Sequence, residues 1–340
     1  MSQLKTNSIT NIGNTGDANI VLGDSGDTQV QSLNSGPLSG FRNQIINGGT
    51  YIWQRGTSAG PVAGGGYSAD HVFISDGVTW TRAPSASFAP GLEFGLRFSG
   101  GANCYAAFPV ELLRVGYPNQ FANGTQWTFS YYADRGTDHS PRVYFSDGPV
   151  PANAVDVFPT AAPTSLGGNR YSVTFTVASA PAGSNTCLVA RVLNTTGAQL
   201  EITGIQLEPG PVATPFEHRP IGTELALCQR YFEASGTPGS SRVARWIAIS
   251  DGNGVAPTFR SGTVMFFQTA KRVTPTMTYF SYNGTSGAVS ATSGSSTTNI
   301  DGTNLAAHAT KYGTQLRRPS ITTLGSISQY WGDFYADAEL

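Results

Sequence analysis

The sequence predicts an all-β protein, and three observations carry that prediction. Short runs alternate apolar and polar residues with a period of two, glycine and proline punctuate them, and nowhere does strand–helix–strand spacing announce a parallel α/β fold. Composition agrees: 41 Gly and 20 Pro break the chain often, while 18 Phe and 14 Tyr suit pleated surfaces. Charged residues make up 12% of the 340 positions, against about 25% in an ordinary globular chain. Ser, Thr, Asn and Gly fill the polar positions instead, and the abundant aromatics argue against disorder. A chain of this length is expected to build more than one core. It divides into a short N-terminal β-repeat anchor at 1–37, a central antiparallel jelly-roll-like sandwich at 38–220, and a short helix with a C-terminal β-sandwich head domain at 221–340.

The first region hides a repeat. Gly13-Asn14-Thr15-Gly16-Asp17 leads into Ile20-Val21-Leu22, and Gly23-Asp24-Ser25-Gly26-Asp27 leads into Val30 and Leu33. Each copy reads as a Gly-Asp turn followed by a brief strand. So short a segment has nothing of its own to bury these aliphatics against. Ile20, Val21, Leu22, Val30 and Leu33 are therefore the expected anchoring and oligomerisation side chains, ordered by identical copies or by another surface. Asp17, Asp24 and Asp27 fit turns, because their spacing is not that of a calcium loop.

In the central region, 126–132 and 171–177 alternate cleanly, so each is expected to bury one face. The run 187–193 is more continuously apolar, as suits an interior strand, and 201–208 alternates again until Pro209-Gly210 ends it. Residues 109–114 read as one helical turn between strands. Trp53 and Trp127 lie in strand patterns and are assigned to the core. A brief helix should follow, with Thr223 as N-cap, Glu224 in the first turn, and Leu225, Leu227, Cys228, Tyr231 and Phe232 as apolar contacts.

The last region returns to strands, at 244–249, 262–267, 276–280 and 334–340, with a Gly/Ser/Thr/Asn-rich loop or ribbon at 281–303. Its charge is distinctive. Between Ala234 and Ser320, Arg242, Arg245, Arg260, Lys271, Arg272, Lys311, Arg317 and Arg318 face only Asp251 and Asp301, an excess of +6 on a chain of net −1. Attraction to an anionic surface and neutralisation by acidic neighbours are both consistent with this. Trp246, Tyr279, Tyr282 and Trp331 are the aromatics that could stack on a sugar. With Arg317 and Arg318 beside them, Trp246, Tyr279 and Tyr282 form the expected ligand-binding set.

Enzymatic signatures were sought and none is expected. His71, His139, His218 and His308 lie in no metal-binding or nucleophile motif, and no phosphate-binding glycine loop occurs. Asp70, Asp134, Asp138, Asp147 and Asp156 sit mostly in turn contexts, where Asp is ordinary. Cys104, Cys187 and Cys228 are too far apart for a zinc motif and read as buried free thiols. No catalytic residue, metal or cofactor is therefore assigned. Apolar runs stop well short of the ~20 residues a membrane span needs. The start, Met1-Ser2-Gln3-Leu4-Lys5-Thr6, lacks the apolar stretch of a signal peptide. A near-neutral chain with no aromatic-basic motif gives no support for nucleic-acid binding.

Four segments carry a resemblance. They are Asn43-Gln44-Ile45-Ile46-Asn47-Gly48-Gly49-Thr50-Tyr51-Ile52-Trp53-Gln54-Arg55-Gly56-Thr57-Ser58, Tyr67-Ser68-Ala69-Asp70, Gln206-Leu207-Glu208 running on to Thr214-Pro215-Phe216-Glu217-His218-Arg219-Pro220, and Glu224-Leu225-Ala226-Leu227-Cys228-Gln229-Arg230-Tyr231-Phe232. In order and spacing they resemble a family of tailed-phage virion proteins, mostly tail fibres, from phages of marine and aquatic bacteria. Gly49 stands where that family usually has Asp, and His71-Val72 where it has Arg-Trp. The central region, closing on Gln206-Leu207-Glu208, also resembles carbohydrate-binding-module sandwiches. The resemblance implies a homotrimeric tail fibre or receptor-binding protein, made in the host cytoplasm and carried on the virion. Its N-terminus would meet other virion proteins, and its outer regions a bacterial surface polysaccharide or protein. A capsid decoration, knob or collar-type protein would use the same parts without a receptor. A glycan depolymerase is the third class.

Overall fold

A computed structural model describes residues 8–9, 20–22, 28–29, 41–112, 121–150, 154–159, 162–178, 181, 185–236, 245–246, 263–281, 283–293, 296–301, 306–317 and 329–339. The N-terminal repeat supplies β1 (Ser8–Ile9), β2 (Ile20–Leu22) and β3 (Thr28–Gln29), paired antiparallel in that order. The side chains of Ile20, Val21 and Leu22, and Val30 and Leu33 altogether, lie outside the described residues.

Thirteen strands follow. They are β4 (Ser58–Val62), β5 (Gly66–Tyr67), β6 (Phe73–Ile74), β7 (Val78–Pro84), β8 (Phe94–Ser99), β9 (Cys104–Glu111) and β10 (Gln126–Ala133). The series continues with β11 (His139–Ser146), β12 (Val155–Phe158), β13 (Thr164–Gly167), β14 (Arg170–Thr176), β15 (Cys187–Asn194) and β16 (Leu200–Pro209). One sheet of seven has the order β13-β14-β10-β16-β8-β7-β4, and one of six has β12-β11-β15-β9-β6-β5. Facing side chains of the two make the main core. Trp80, Phe98, Trp127, Phe129, Tyr131 and Phe175 come from one sheet, and Phe108, Val110, Phe145, Leu188 and Val192 from the other. Each large apolar side chain so buried stabilises the fold by about 1.5–3 kcal/mol. The continuous run of β15 is interior, with every residue buried and strands on both sides. Trp127 is buried in this core, while Trp53 is half-buried and stacks on Trp80 with ring centroids 5.8 Å apart.

The expected helical turn at 109–114 is not found over its described part. Pro109 to Glu111 extend β9 and pair with β15, Pro109 opposite Val189. Proline is tolerated there because β6 pairs only Ala106 and Ala107, leaving no ladder on that side of Pro109. A second irregularity sits in β16. Ser130 pairs with Gln206 but Tyr132 with Thr203, so two residues of β16 oppose one of β10. Gly204, at φ +60°, takes the left-handed position of this bulge. A Cβ there would lie 2.7 Å from both Leu92 and Tyr132.

Helix α1 (Ile221–Gln229) forms as expected but begins differently. Pro220, with φ −54° and ψ 135°, occupies the cap position without a side-chain cap, and its carbonyl accepts from Thr223 N and Glu224 N at 2.9 and 3.1 Å. Thr223 lies inside the helix because proline, with its φ already set, makes the entry three residues earlier. Beyond it come β17 (Phe232–Ala234), β18 (Arg245–Trp246), β19 (Thr263–Phe266), β20 (Thr276–Phe280) and β21 (Ala288–Ser293). β22 (Ser296–Asp301), β23 (Ala306–Ala309), β24 (Gly313–Arg317), β25 (Gln329–Trp331) and β26 (Asp333–Asp337) complete the series. Three small antiparallel sheets result, β17-β26-β20, β18-β25-β21-β22 and β19-β24-β23. The low-complexity stretch is a ribbon where it is described, since β21 pairs with β22. Among the described residues no helix is long and apolar enough to cross a membrane.

Candidate functional site

The four segments that carry the family resemblance converge on one another. Gly48 crosses β16 at the bulge, where Ile205 N donates to the Gly48 carbonyl at 2.8 Å. A Cβ on Gly48 would lie 2.1 Å from the Ile205 carbonyl, so only glycine permits this approach. Asn43, buried, accepts from Ile45 N and Leu207 N at 3.0 Å and donates to the Ile205 carbonyl at 3.0 Å. Asn47, also buried, donates to the carbonyls of Ile52 and Asp70 at 2.9 Å, and its backbone N–H reaches Glu224. Arg219 pairs with Glu224 at 3.2 Å and lies 3.9 Å from Glu217, which itself accepts from Asn43 N at 2.8 Å. Gln206, Glu208 and Thr214 bond one another within 2.6–2.8 Å or 3.3 Å. This is a clasp that fastens residues 41–55 to β16 and α1.

The clasp extends to the far end of the chain. The Arg55 guanidinium meets Glu339 at 3.1 Å, Asp337 at 3.3 Å and Asp70 at 3.9 Å, and lies 3.5 Å over the Phe232 ring. His71 touches Glu339 through Nδ1 and the Pro109 carbonyl through Nε2, both at 2.9 Å. Burial would push the Glu339 carboxyl up, yet the charge and hydrogen bond of His71, joined by those of Arg55, hold it below its ordinary range. Burial raises Asp70 to about 6, against the opposing pull of Arg55 and Gln54. Each of these groups spends its polarity on the protein itself. The clasp is scaffolding.

A different arrangement occupies the outer face of the six-stranded sheet. Strand period two sends Phe73, Tyr105, Ala107, Tyr144, Cys187 and Val189 away from the main core into a second cluster, with Tyr67 packed alongside. Register places Arg142 of β11 directly opposite Arg191 of β15, which in turn opposes Ala107 of β9. Arg142 is paired with Asp156 of β12 at 2.5 Å and lies 5.0 Å from the Tyr144 ring centroid. Arg191, 7% exposed, lies 4.6 Å from the centroid of Tyr105 and 5.5 Å from that of Tyr144. Burial lowers its guanidinium pKa, opposed first by Tyr144. Its Nε has no hydrogen-bond partner among the described residues. Beside Tyr105 opens a cavity of about 330 Å³, lined by Phe73, Ser75, Asp76, Asn103, Cys104 and Val150 among others. A half-buried ring, backbone-rich loops and short polar side chains around a groove are the parts that recognise a polyol.

The expected ligand set fares otherwise. Tyr279 is buried, and its hydroxyl bonds Thr314 at 3.2 Å, so its ring is a core element and the expectation of a stacking surface there is corrected. Trp246 and Arg317 lie in β18 and β24 with side chains outside the described residues, as do Tyr282 and Arg318 entirely. Two of the eight cations counted between 234 and 320 are internal. Lys271 is buried against Glu233 at 2.6 Å, and Arg272 donates to the carbonyls of Ala338 and Glu339. The exposed rings of this region are instead Phe266 and Tyr312, 77% and 68% exposed, next to exposed Lys311. Cys104, Cys187 and Cys228 are buried free thiols. Among the described residues no group of three or more His, Cys, Asp or Glu could hold a metal ion. Asp70, Asp134, Asp138 and Asp156 are each bonded within the fold, to Gln54, Glu201 N, Arg135 and Arg142.

No protein-family model matches this sequence, and no curated protein does so at significant similarity. Solved structures overlap it in part. The enzymatically active domain of tailspike protein 4 of bacteriophage CBA120 shares 14% identity at a TM-score of 0.31, covering 51% of this chain and 22% of its own. This chain thus spans under a quarter of that tailspike domain. The module TmCBM61, solved with β-1,4-galactotriose, gives 15% identity and a TM-score of 0.27 over 50% of this chain and 99% of its own. The CBM22-1 xylan-binding domain of Paenibacillus barcinonensis Xyn10C gives 12%, 0.28, 48% and 93%.

Proposed function

We propose that this chain is an attachment protein of a tailed-phage particle, most simply a homotrimeric fibre, that holds a bacterial surface glycan on the outer face of its six-stranded sheet. The observation that carries the glycan part is Tyr105, half-buried at the mouth of the groove with Ser75, Asp76 and Asn103 around it. A sugar ring offers an apolar face to such a ring and hydroxyls to such a rim. Support for the virion part comes from the four ordered segments, which belong together physically because they build one clasp. The N-terminal meander β1-β2-β3, set apart from the sandwich in the chain, suits attachment to the particle or to sister copies.

The purified full chain should bind a subset of bacterial surface polysaccharides on an array. Tyr105→Ala should weaken that binding at least tenfold while leaving the melting temperature within a few degrees. Loss of no binding in that variant would move the site elsewhere.

A second reading has its own observation. Phe266 and Tyr312 are both exposed and sit on neighbouring stretches of chain, where Phe267 N donates to the Tyr312 carbonyl at 3.0 Å and Phe266 pairs with Gly313. Such a patch suits a protein neighbour, as in a capsid decoration, knob or collar. Cryo-EM of particles separates the two: density at the tail tip supports attachment, density on the shell the structural role.

A further inference from the structure

Arg191 is the one cation of the outer face with no carboxylate among the described residues. Its directly opposed neighbour Arg142 holds Asp156, and like charges opposite each other in a sheet repel. Glu111, at the other end of β9, is taken by Arg230 at 3.0 Å and Tyr231 at 2.9 Å. Asp76, across the groove, accepts the Gly64 N–H at 2.6 Å. The remaining support for Arg191 comes from Tyr105 and Tyr144, through their rings and through hydrogen bonding to their hydroxyls, and the Tyr144 hydroxyl also donates to the Pro149 carbonyl at 2.9 Å. Cation–π contact offsets only part of what a guanidinium loses on leaving water. Stability alone would favour Met or Leu at this point of a strand whose other outward residues, Cys187, Val189 and Leu193, are apolar.

We propose that Arg191 sets the ligand class: the glycan carries an oxyanion, a uronate-type carboxylate or a phosphate, and sits with that group toward Arg191 across the Tyr105 ring. This rests on the glycan-binding reading above. The geometry is short-range. A ligand seated on Tyr105 is one ring away from the guanidinium, whose Cζ lies 4.6 Å from that ring's centroid, and the partly desolvated setting strengthens the attraction. The attraction is Coulombic and acts past the ring, so a carboxylate and a phosphate serve alike.

The test uses the full chain and an array of bacterial capsular and O-antigen polysaccharides, followed by calorimetry on the polymers that bind. The bound members should be acidic. Carbodiimide reduction of their carboxylates, or removal of phosphate with hydrofluoric acid, should weaken binding at least tenfold, and whichever treatment does so identifies the anion. Arg191→Met should lose the same factor toward the untreated polymer and nothing toward the treated one. The chemical treatments need no variant, so the test survives if Arg191→Met misfolds. Equal affinity before and after both treatments, or binding confined to neutral polymers, overturns the anion inference and leaves the glycan site standing. Binding to no polymer, with Tyr105→Ala indistinguishable from the parent protein, overturns the glycan reading and this one with it.

Discussion

Two regions of this molecule use arginine on opposite terms. In the clasp, Arg219 and Arg55 lie among carboxylates, at 3.1–3.9 Å from Glu224, Glu217, Glu339 and Asp70. On the outer face of the six-stranded sheet, Arg191 is as thoroughly buried but meets the rings and hydroxyls of two tyrosines and no carboxylate. The first region neutralises its charge within the chain, although the Arg219 Nε, like that of Arg191, has no hydrogen-bond partner among the described residues. The second keeps a charge it does not neutralise. A buried charge with its counter-charges beside it is the mark of scaffolding, and a buried charge without one marks a surface addressed to something else.

The sharpest way to break this contrast is to remove the charge from each side. Arg219→Met strands Glu217 and Glu224 in the interior and should cost about 3–5 kcal/mol of stability by denaturant titration. Gly48→Ala pushes a methyl into the Ile205 carbonyl and should cost about 1–3 kcal/mol. A smaller value would mean that residues 41–55 can lift from β16.

Glu339→Gln should cost about 2 kcal/mol at pH 7, the worth of charge-assisted hydrogen bonds. The sign with pH is fixed by the depressed carboxyl of Glu339. Its stabilisation is present above the ordinary value of about 4.3 and disappears as pH falls through the lower folded value. Parent and variant should therefore converge in acid, which thermal melts from pH 7 to pH 3 would show. Asp70 runs the other way. Its carboxyl, raised to about 6, favours the fold at low pH and withdraws that support as pH climbs through about 6. Arg191→Met should have the smallest effect, within about 1 kcal/mol of zero. A loss as large as that of Arg219→Met would erase the distinction between the two regions.

Much of the scaffold was legible in the chain. Alternation located β10 and β14, the unbroken apolar run located β15 as an interior strand, and Pro209 ended β16 as expected. The turn expected at 109–114 was misplaced because Glu111, Leu112 and Leu113 suit a helix locally, whereas pairing with β15 decides the outcome. The outer-face site escaped because its parts are scattered. Tyr105, Arg142 and Arg191 lie on three strands, and only register brings them side by side. One signal was present: an arginine in the middle of Cys-Leu-Val-Ala-Arg-Val-Leu, where every neighbour is apolar. Tyr279 failed the other way, since a tyrosine in a short alternating strand gives no sign of which face it takes.

The reach of the clasp along the chain also bears on how the protein is made. Arg55 and Glu339 are 284 positions apart, and His71 and Glu339 are 268 apart. At a synthesis rate of about 5–20 residues per second, Arg55 leaves the ribosome on the order of tens of seconds before Asp337 and Glu339 exist. During that interval the sandwich can assemble, but at this corner Arg55 has Asp70 alone and lacks its two later carboxylates. A chain stopped short of Asp337 never receives them. The corner can therefore close only after Asp337 and Glu339 have been made, so it sets later than the strands of the sandwich it fastens.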